Sequence, residues 1–423
     1  MSGSHFSPPA LGGAAALLIM LASGGTALAY TEKTIFKFCE QGGFCPHGSS
    51  PQAAVIVDGN GNLWGTTKIG GKYGHGLAFE ITEAGGKTYY HIIKNFCAKP
   101  NCADGATPVA PLIMGNGREL FGTTYAGGKY GGGVLFRLTP VSGGWHYAVL
   151  HNFGNGSAGK SPAAGLTYKD QQSGALWSED TEPVFGTTAA GGTYGNGTTF
   201  EFVRSGSSWT YTTIHSFQSS QAPNELAMDA SGNLFGTTGT GGKYGGGLLY
   251  ELASGSWNET VFHNFCGENG CGDGSYPLGR MWVDANGNLY GTTQWGGHTN
   301  CSYLVGYSGC GTVFEYSPGS HTYTALYKFP SISNGGFEPA AGVIMDSSGN
   351  LFGTTLNYFG ETAAQGVVFE LSPGGNGNWT YAQLFEGNDS WSPIAIDSGG
   401  NLFGTSYSDP GGHGGGSVFG LYP

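Results

Sequence analysis

Gly232-Asn233-Leu234-Phe235-Gly236-Thr237-Thr238 is the stretch from which the fold can be read, because it returns. The tripeptide Gly-Thr-Thr/Ser begins at Gly65, Gly122, Gly186, Gly236, Gly291, Gly353 and Gly404, seven copies spaced 50–64 residues apart. Around the fourth copy the chain reads Asn224-Glu225-Leu226-Ala227-Met228-Asp229, then the quoted stretch, then Gly247-Leu248-Leu249-Tyr250-Glu251-Leu252, then residues 257–265. Each of these segments is short, rich in aromatic and branched residues, and bounded by Gly, Asn, Asp or Pro, which is the pattern of a β-strand. Four strands per unit and seven units of about 56 residues make an all-β, seven-bladed β-propeller that occupies residues 30–423 as one domain.

The two ends of the chain support a closed ring. The seventh unit stops after its third strand, at Ser417-Val418-Phe419-Gly420-Leu421-Tyr422. Its missing fourth strand is supplied by Thr34-Ile35-Phe36-Lys37-Phe38-Cys39, which matches Ile92-Ile93-Lys94-Asn95-Phe96-Cys97 and Val261-Phe262-His263-Asn264-Phe265-Cys266. The last blade is therefore expected to be closed by the N-terminal strand, which removes an exposed sheet edge. Within each unit, the Gly of Phe-Gly-Thr-Thr is expected either to admit a neighbouring blade or to shelter under a ring. The Asp of Asp-x-x-Gly-Asn-Leu, at Asp58, Asp229, Asp284, Asp346 and Asp397, is expected to cap its own turn, with Gly-Asn in the positive-φ positions.

Composition narrows the function. With 81 Gly in 423 residues the chain cannot be helix-rich, and with 39% hydrophobic, 13% aromatic and 10% charged residues it has the apolar surface for a core. A net charge of -12 makes nucleic acid and anionic membranes poor partners. Residues 1–29, apolar over 11–21 and ending Ala27-Leu28-Ala29, read as a secretory signal peptide. No membrane insertion is expected once it is cleaved. The eight cysteines fall in close pairs, Cys39/Cys45, Cys97/Cys102, Cys266/Cys271 and Cys301/Cys310, whose spacings suit local disulfides better than zinc. A secreted or periplasmic monomer without metal or cofactor is the expectation.

Gly-Asn-Leu-Phe-Gly-Thr-Thr, Gly-Gly-Lys-Tyr-Gly-Gly-Gly and Val-Phe-Glu-Leu together resemble the GloVer (Gloeobacter/Verrucomicrobia-type) repeat, the unit of the choice-of-anchor tandem-repeat proteins of bacteria. The resemblance extends over essentially all of residues 30–423. It implies an exported or surface protein and supplies no catalytic residues. A fainter similarity links Gly-Asn-Leu-Trp to the sensory propellers of two-component regulators.

Candidate functional residues follow from loop position. In a propeller the loops between strands two and three open on the same face as the blade-to-blade loops. The former carry Tyr73, Tyr130, Tyr194 and Tyr244, with Lys72, Lys129 and Lys243 beside three of them; the latter carry the cysteines with Asp104, Asp273 and Glu338. Tyrosines on Gly-rich loops offer flat platforms for sugar rings or peptides. The expected function is a non-enzymatic binding or scaffold propeller that recognises a glycan, a peptide or a cell-surface partner through them. The alternative is an extracellular hydrolase or lyase acting on carbohydrate or lactone. Its site would lie among blades five to seven, where His298, Glu361, Asp409 and His413 depart from the repeat and form the set able to make an acid/base pair. His151, His215 and His263 share one position of the fourth strand and are expected on a solvated outer face.

Overall fold

The glycine at the centre of every Gly-Thr-Thr/Ser is roofed by an aromatic ring from the adjoining strand. Gly65 pairs with Phe79, Gly122 with Phe136, Gly186 with Phe200, Gly236 with Tyr250, Gly291 with Phe314, Gly353 with Phe369 and Gly404 with Phe419. A methyl group added to any of the seven would overlap that ring. The same ring is pressed from its other side by the phenylalanine ending the preceding blade's fourth strand. Phe38–Phe79, Phe96–Phe136, Phe153–Phe200, Phe217–Tyr250, Phe265–Phe314 and Phe329–Phe369 have centroids 5.1–5.4 Å apart. Gly387 stands where the seventh of these phenylalanines would be, and Phe385 reaches Phe419 at 6.5 Å instead.

The computed structural model describes residues 30–39, 43, 45–218, 223–297, 309–330, 336–339, 341–356, 366–387, 392–407 and 415–423. These residues form seven antiparallel blade sheets in a ring, with a separate two-stranded ladder of Gly159–Lys160 and Ala190–Gly191. Blade one is Ile56–Val57, Leu63–Thr67, Leu77–Ala84 and Lys87–Asn95, paired in that order. Blade seven consists of Ala395–Ile396, Leu402–Ser406 and Ser417–Tyr422, with Thr31–Lys37 as its fourth strand, so that Thr34 faces Phe419 and Phe36 faces Val418. The expected closure is present. Blade three differs from the expected four strands. Its sheet is Val184–Thr188, Thr198–Ser205 and Ser208–Ser216, and its first strand is reduced to a single bridge between Thr167 and Phe185. Among the described residues no helix is long and apolar enough to cross a membrane.

The threonines explain the rest of the tripeptide. In several blades the first hydroxyl donates to a carbonyl leading into the next blade's first strand, as from Thr187 to Asn224 (3.0 Å), Thr292 to Ala341 (2.8 Å), Thr354 to Ser392 (3.1 Å) and Thr405 to Ala53 (3.2 Å), whereas the Thr123 hydroxyl is buried without a partner among the described residues. The second donates to the carbonyl two residues on, at 2.9–3.1 Å from Thr67, Thr124, Thr188, Thr238 and Thr293. Each Asp of the Asp-x-x-Gly-Asn turns caps the turn as expected: Asp229 Oδ1 accepts the N–H groups of Ser231 and Asn233. Only the Gly takes positive φ, +84° at Gly232, while the Asn is not left-handed and donates its amide to the Asp at 2.9 Å. The cap needs the Asn side chain more than its backbone freedom.

Blades are also latched where one hands the chain to the next. Ser50, Thr107, Ser161, Tyr276 and Glu338, each just before a proline, are all left-handed, with φ of +56° to +60°. Each donates its N–H to a carbonyl at the end of the preceding blade's second-to-third loop, for example Thr107 to His75 (2.8 Å) and Ser161 to Gly132 (2.7 Å). The proline that follows, as Pro162, abuts a left-handed glycine opening the preceding blade's third strand, as Gly133 with φ +96°.

The histidine position is not solvated, contrary to expectation. His151 stacks on Tyr211 of the next blade at 4.0 Å and 8°, and His263 on Tyr323 at 4.2 Å and 8°. Phe36–Tyr90 and Tyr327–Tyr381 make the same stack, and Lys94 lies 4.4 Å above Tyr147. The blades are close enough at their outer edges for a flat or cationic side chain to be sandwiched there. Burial pushes the His151 imidazole down to about 4.

Two outcomes test this account. Gly133→Ala would place its methyl on the Thr124 carbonyl oxygen in a left-handed backbone, whereas Gly131, also left-handed at φ +75°, has nothing within 4 Å. Denaturant unfolding should show Gly131→Ala losing about 1–2 kcal/mol and Gly133→Ala more than about 3 kcal/mol. His151 is held neutral in the fold but charges readily when unfolded, so its contribution is intact above pH 6.5 and falls away between 6.5 and about 4. The unfolding midpoint should drop through that window, and His151→Phe should flatten the drop.

Candidate functional site

The Tyr-bearing loops are built without their tyrosines. In blade one the N–H of Gly74 closes a turn on the Gly71 carbonyl at 3.2 Å, and Gly131 on Gly128 repeats it at 3.2 Å. The N–H of Lys72, Lys129 and Lys243 each donates at 2.7 Å to the side-chain oxygen of Asn95, Asn152 and Asn264 at the end of the fourth strand. The disulfide loops interlock with them, since Gly71 N–H donates to Cys45 (2.8 Å), Gly128 to Cys102 (2.9 Å) and Gly297 to Cys271 (2.9 Å). Both loop sets therefore share one face. Tyr73, Tyr130, Tyr194 and Tyr244 are left 41%, 44%, 53% and 49% exposed. The ammonium groups of Lys72, Lys129 and Lys243 sit 5.1–5.4 Å from the centroids of the adjacent tyrosines, within cation–π range. Tyr125 and Tyr407, which follow the Gly-Thr-Thr/Ser of their blades, add exposed rings that the repeat pattern did not single out, since that position varies between blades.

Cysteines behave as their spacing implied. Cys39–Cys45, Cys97–Cys102 and Cys266–Cys271 are disulfides, with Cα separations of 4.9, 4.0 and 3.9 Å. Two are shorter than the usual 4.4–6.8 Å, in loops where both cysteines are left-handed. Cys310 is disulfide-bonded, and Cys301 lies outside the described residues.

The acidic residues of these loops do not face a ligand. Asp104 is buried, bonds the Lys94 ammonium at 2.6 Å and accepts the N–H groups of Ala98 and Lys99. Burial alone would raise its carboxyl, but these donors outweigh burial and hold it below the usual range. Asp273 does the same with His263 at 3.0 Å and the N–H groups of Gly267 and Glu268. Glu338 is buried as well, and burial pushes it up to about 7 against a weaker opposing hydrogen bond from Gln294. Asp104 and Asp273 shape their loops. His298, Glu361, Asp409 and His413 lie outside the described residues.

A second concavity, which sequence reasoning missed, is the central channel. First strands from several blades line a cavity of about 290 Å³ walled by Ile113, Met114, Met281, Trp282, Ile344 and Ile396 among others. Blade three sends the chain across it. After Tyr168 a 3-10 turn, Gln171–Ser173, places Gln172 so that its amide donates to the Met281 carbonyl and accepts from the Val283 N–H, both at 3.0 Å. Trp177 then bridges to blade two, its N–H donating to Met114 and its carbonyl accepting from Asn116. The longest interval between repeats, 64 residues before Gly186, was the signal for this crossing segment. Arg137 is another trace of it: it replaces the glutamate of five other third strands because Glu179 of the crossing segment descends onto it at 3.2 Å, with Arg204 as a further partner.

Two charged groups line the channel from neighbouring blades. Glu225 and Arg280 occupy the same position of neighbouring first strands, where other blades carry Ala54, Pro111, Gly165, Gly342 and Pro393. They do not make a direct ion pair, yet each feels the other. Burial raises the Glu225 carboxyl, opposed by Arg280 and by the Gly165 N–H that it accepts at 3.3 Å. Burial likewise lowers the Arg280 guanidinium, opposed by Glu225 and Tyr168.

Comparisons place this architecture among known propellers. The virginiamycin B lyase of Staphylococcus aureus superposes with a TM-score of 0.54 at 12% identity, over 93% of this chain and 99% of that one. The GH74 xyloglucanase of Xanthomonas campestris gives 0.53 at 12% identity, over 89% of this chain and 52% of that one. At these identities the likeness is one of fold. A search of curated proteins finds no match. The sequence model of the Gloeobacter/Verrucomicrobia repeat matches residues 12–179 and 171–419, and the chain belongs to that family.

Proposed function

We propose that this is an exported binding propeller that holds an extended glycan across the face carrying Tyr73, Tyr130, Tyr194 and Tyr244. The observation that carries the reading is that these residues stay exposed while the hydrogen bonds that turn their loops are made by the backbone and by asparagine side chains. A side chain retained only for packing would be buried against its own blade. Four successive blades present such a ring, so the platforms follow one another along an arc, as a polymer requires. The ring supplies a face for a sugar's C–H groups, and the adjacent ammonium supplies donors to its hydroxyls. A peptide fits less well, because the N–H groups that turn these loops are already bonded within the protein. Formed disulfides support an oxidising compartment, hence export. The surface-exposed position of these rings, rather than any acid/base pair, favours binding over turnover.

The test is a glycan and peptide array probed with the protein from residue 30, followed by titration of the best hit. Tyr130→Ala combined with Tyr244→Ala should weaken binding by about 5- to 150-fold, as expected for two stacked rings worth about 0.5–1.5 kcal/mol each. Thermal stability should stay within about 1 kcal/mol of the parent. Unchanged binding, or a large loss of stability with binding retained, would refute the proposal.

A further inference from the structure

The central channel has the attributes of a second binding site, separate from the Tyr-bearing face. Five of the seven first strands place a small residue or proline at the layer where Glu225 and Arg280 project, so the two charges share open space. Neither is neutralised by contact with the other, since no ion pair forms between them. Below the charged layer the wall is apolar, with Trp282, Met281, Ile113, Ile344 and Ile396.

The chemistry of the ligand follows from the balance of charge. A bare carboxylate would meet Arg280 favourably and Glu225 unfavourably; a bare amine would do the reverse. A dipolar molecule meets both. We infer that the channel binds a free α-amino acid with an apolar side chain, its carboxylate on the Arg280 guanidinium, its ammonium on the Glu225 carboxylate and its side chain against Trp282 and the aliphatic wall. The cavity volume of about 290 Å³ admits a molecule of this size.

The experiment measures binding of L-leucine to the unmodified protein by calorimetry, beside the two halves of its polar end: 4-methylpentanoate, which keeps the carboxylate, and 3-methylbutylamine, which keeps the ammonium. Leucine should bind at least tenfold more tightly than either. Arg280→Met and Glu225→Gln should each weaken leucine binding at least tenfold, whereas the Tyr130→Ala, Tyr244→Ala pair should leave it unchanged. Thermal melts of the variants check folding, and the three-ligand comparison on the parent stands independently of them. Equal affinity for leucine and 4-methylpentanoate, preference for the amine, or binding of none of the three would overturn the inference.

Discussion

Six of the seven blades each hang on one aromatic side chain wedged between the blade's own glycine and the previous blade's phenylalanine. Because the glycine has no side chain, the ring from strand three can lie flat over strand two, and its far face is then free to receive Phe38, Phe96, Phe153, Phe217, Phe265 or Phe329. Within-sheet register and blade-to-blade spacing are thus set by the same atoms. A bulkier residue at Gly122 would lift Phe136, and the displaced ring would push on Phe96 of the neighbour. Close packing of this kind makes the interface intolerant of small volume changes, and so the tripeptide returns seven times with so little variation.

That dependence also decides what a sequence can reveal. Gly236-Thr237-Thr238 is legible because a backbone without a side chain, and two hydroxyls with assigned carbonyls, leave few alternatives at each position. The Asp229–Asn233 turn is legible for the same reason. Missing from the pattern were contacts between blades that repeat only in kind. The position of His151 accepts Phe36, Lys94, His263 or Tyr327, because a stack between two edges asks only for flatness or charge, and such variation reads as a solvated surface. Glu225 and Arg280 were hidden more deeply. They stand at a first-strand position whose occupants in other blades are Ala, Pro and Gly, and nothing local marks it as facing the axis until the ring has closed.

Symmetry and its breaches divide the molecule by role. The aromatic wedges, threonine bonds and proline latches recur around the ring and account for its shape. Among the described residues, exposed loop tyrosines recur over four blades, and the two channel charges occur once. Arg137 shows how tightly such exceptions are coupled: its departure from the glutamate of other blades is intelligible only beside Glu179, contributed by an insertion more than forty residues further along the chain. An exception on one blade has been matched by an exception on its neighbour.

Gln172 ties blade three to blade five and passes over blade four, which makes the crossing segment a chord rather than part of the rim. A ring joined only between neighbours deforms most easily by becoming oval, one diameter lengthening as the perpendicular one shortens. A chord resists that deformation along its own direction and leaves the other comparatively compliant. The propeller is therefore mechanically anisotropic in its own plane. With Trp177 held to Met114 and Asn116 of blade two, the segment braces blades two to five, and the compliance of the ring is left to the blades on the opposite side.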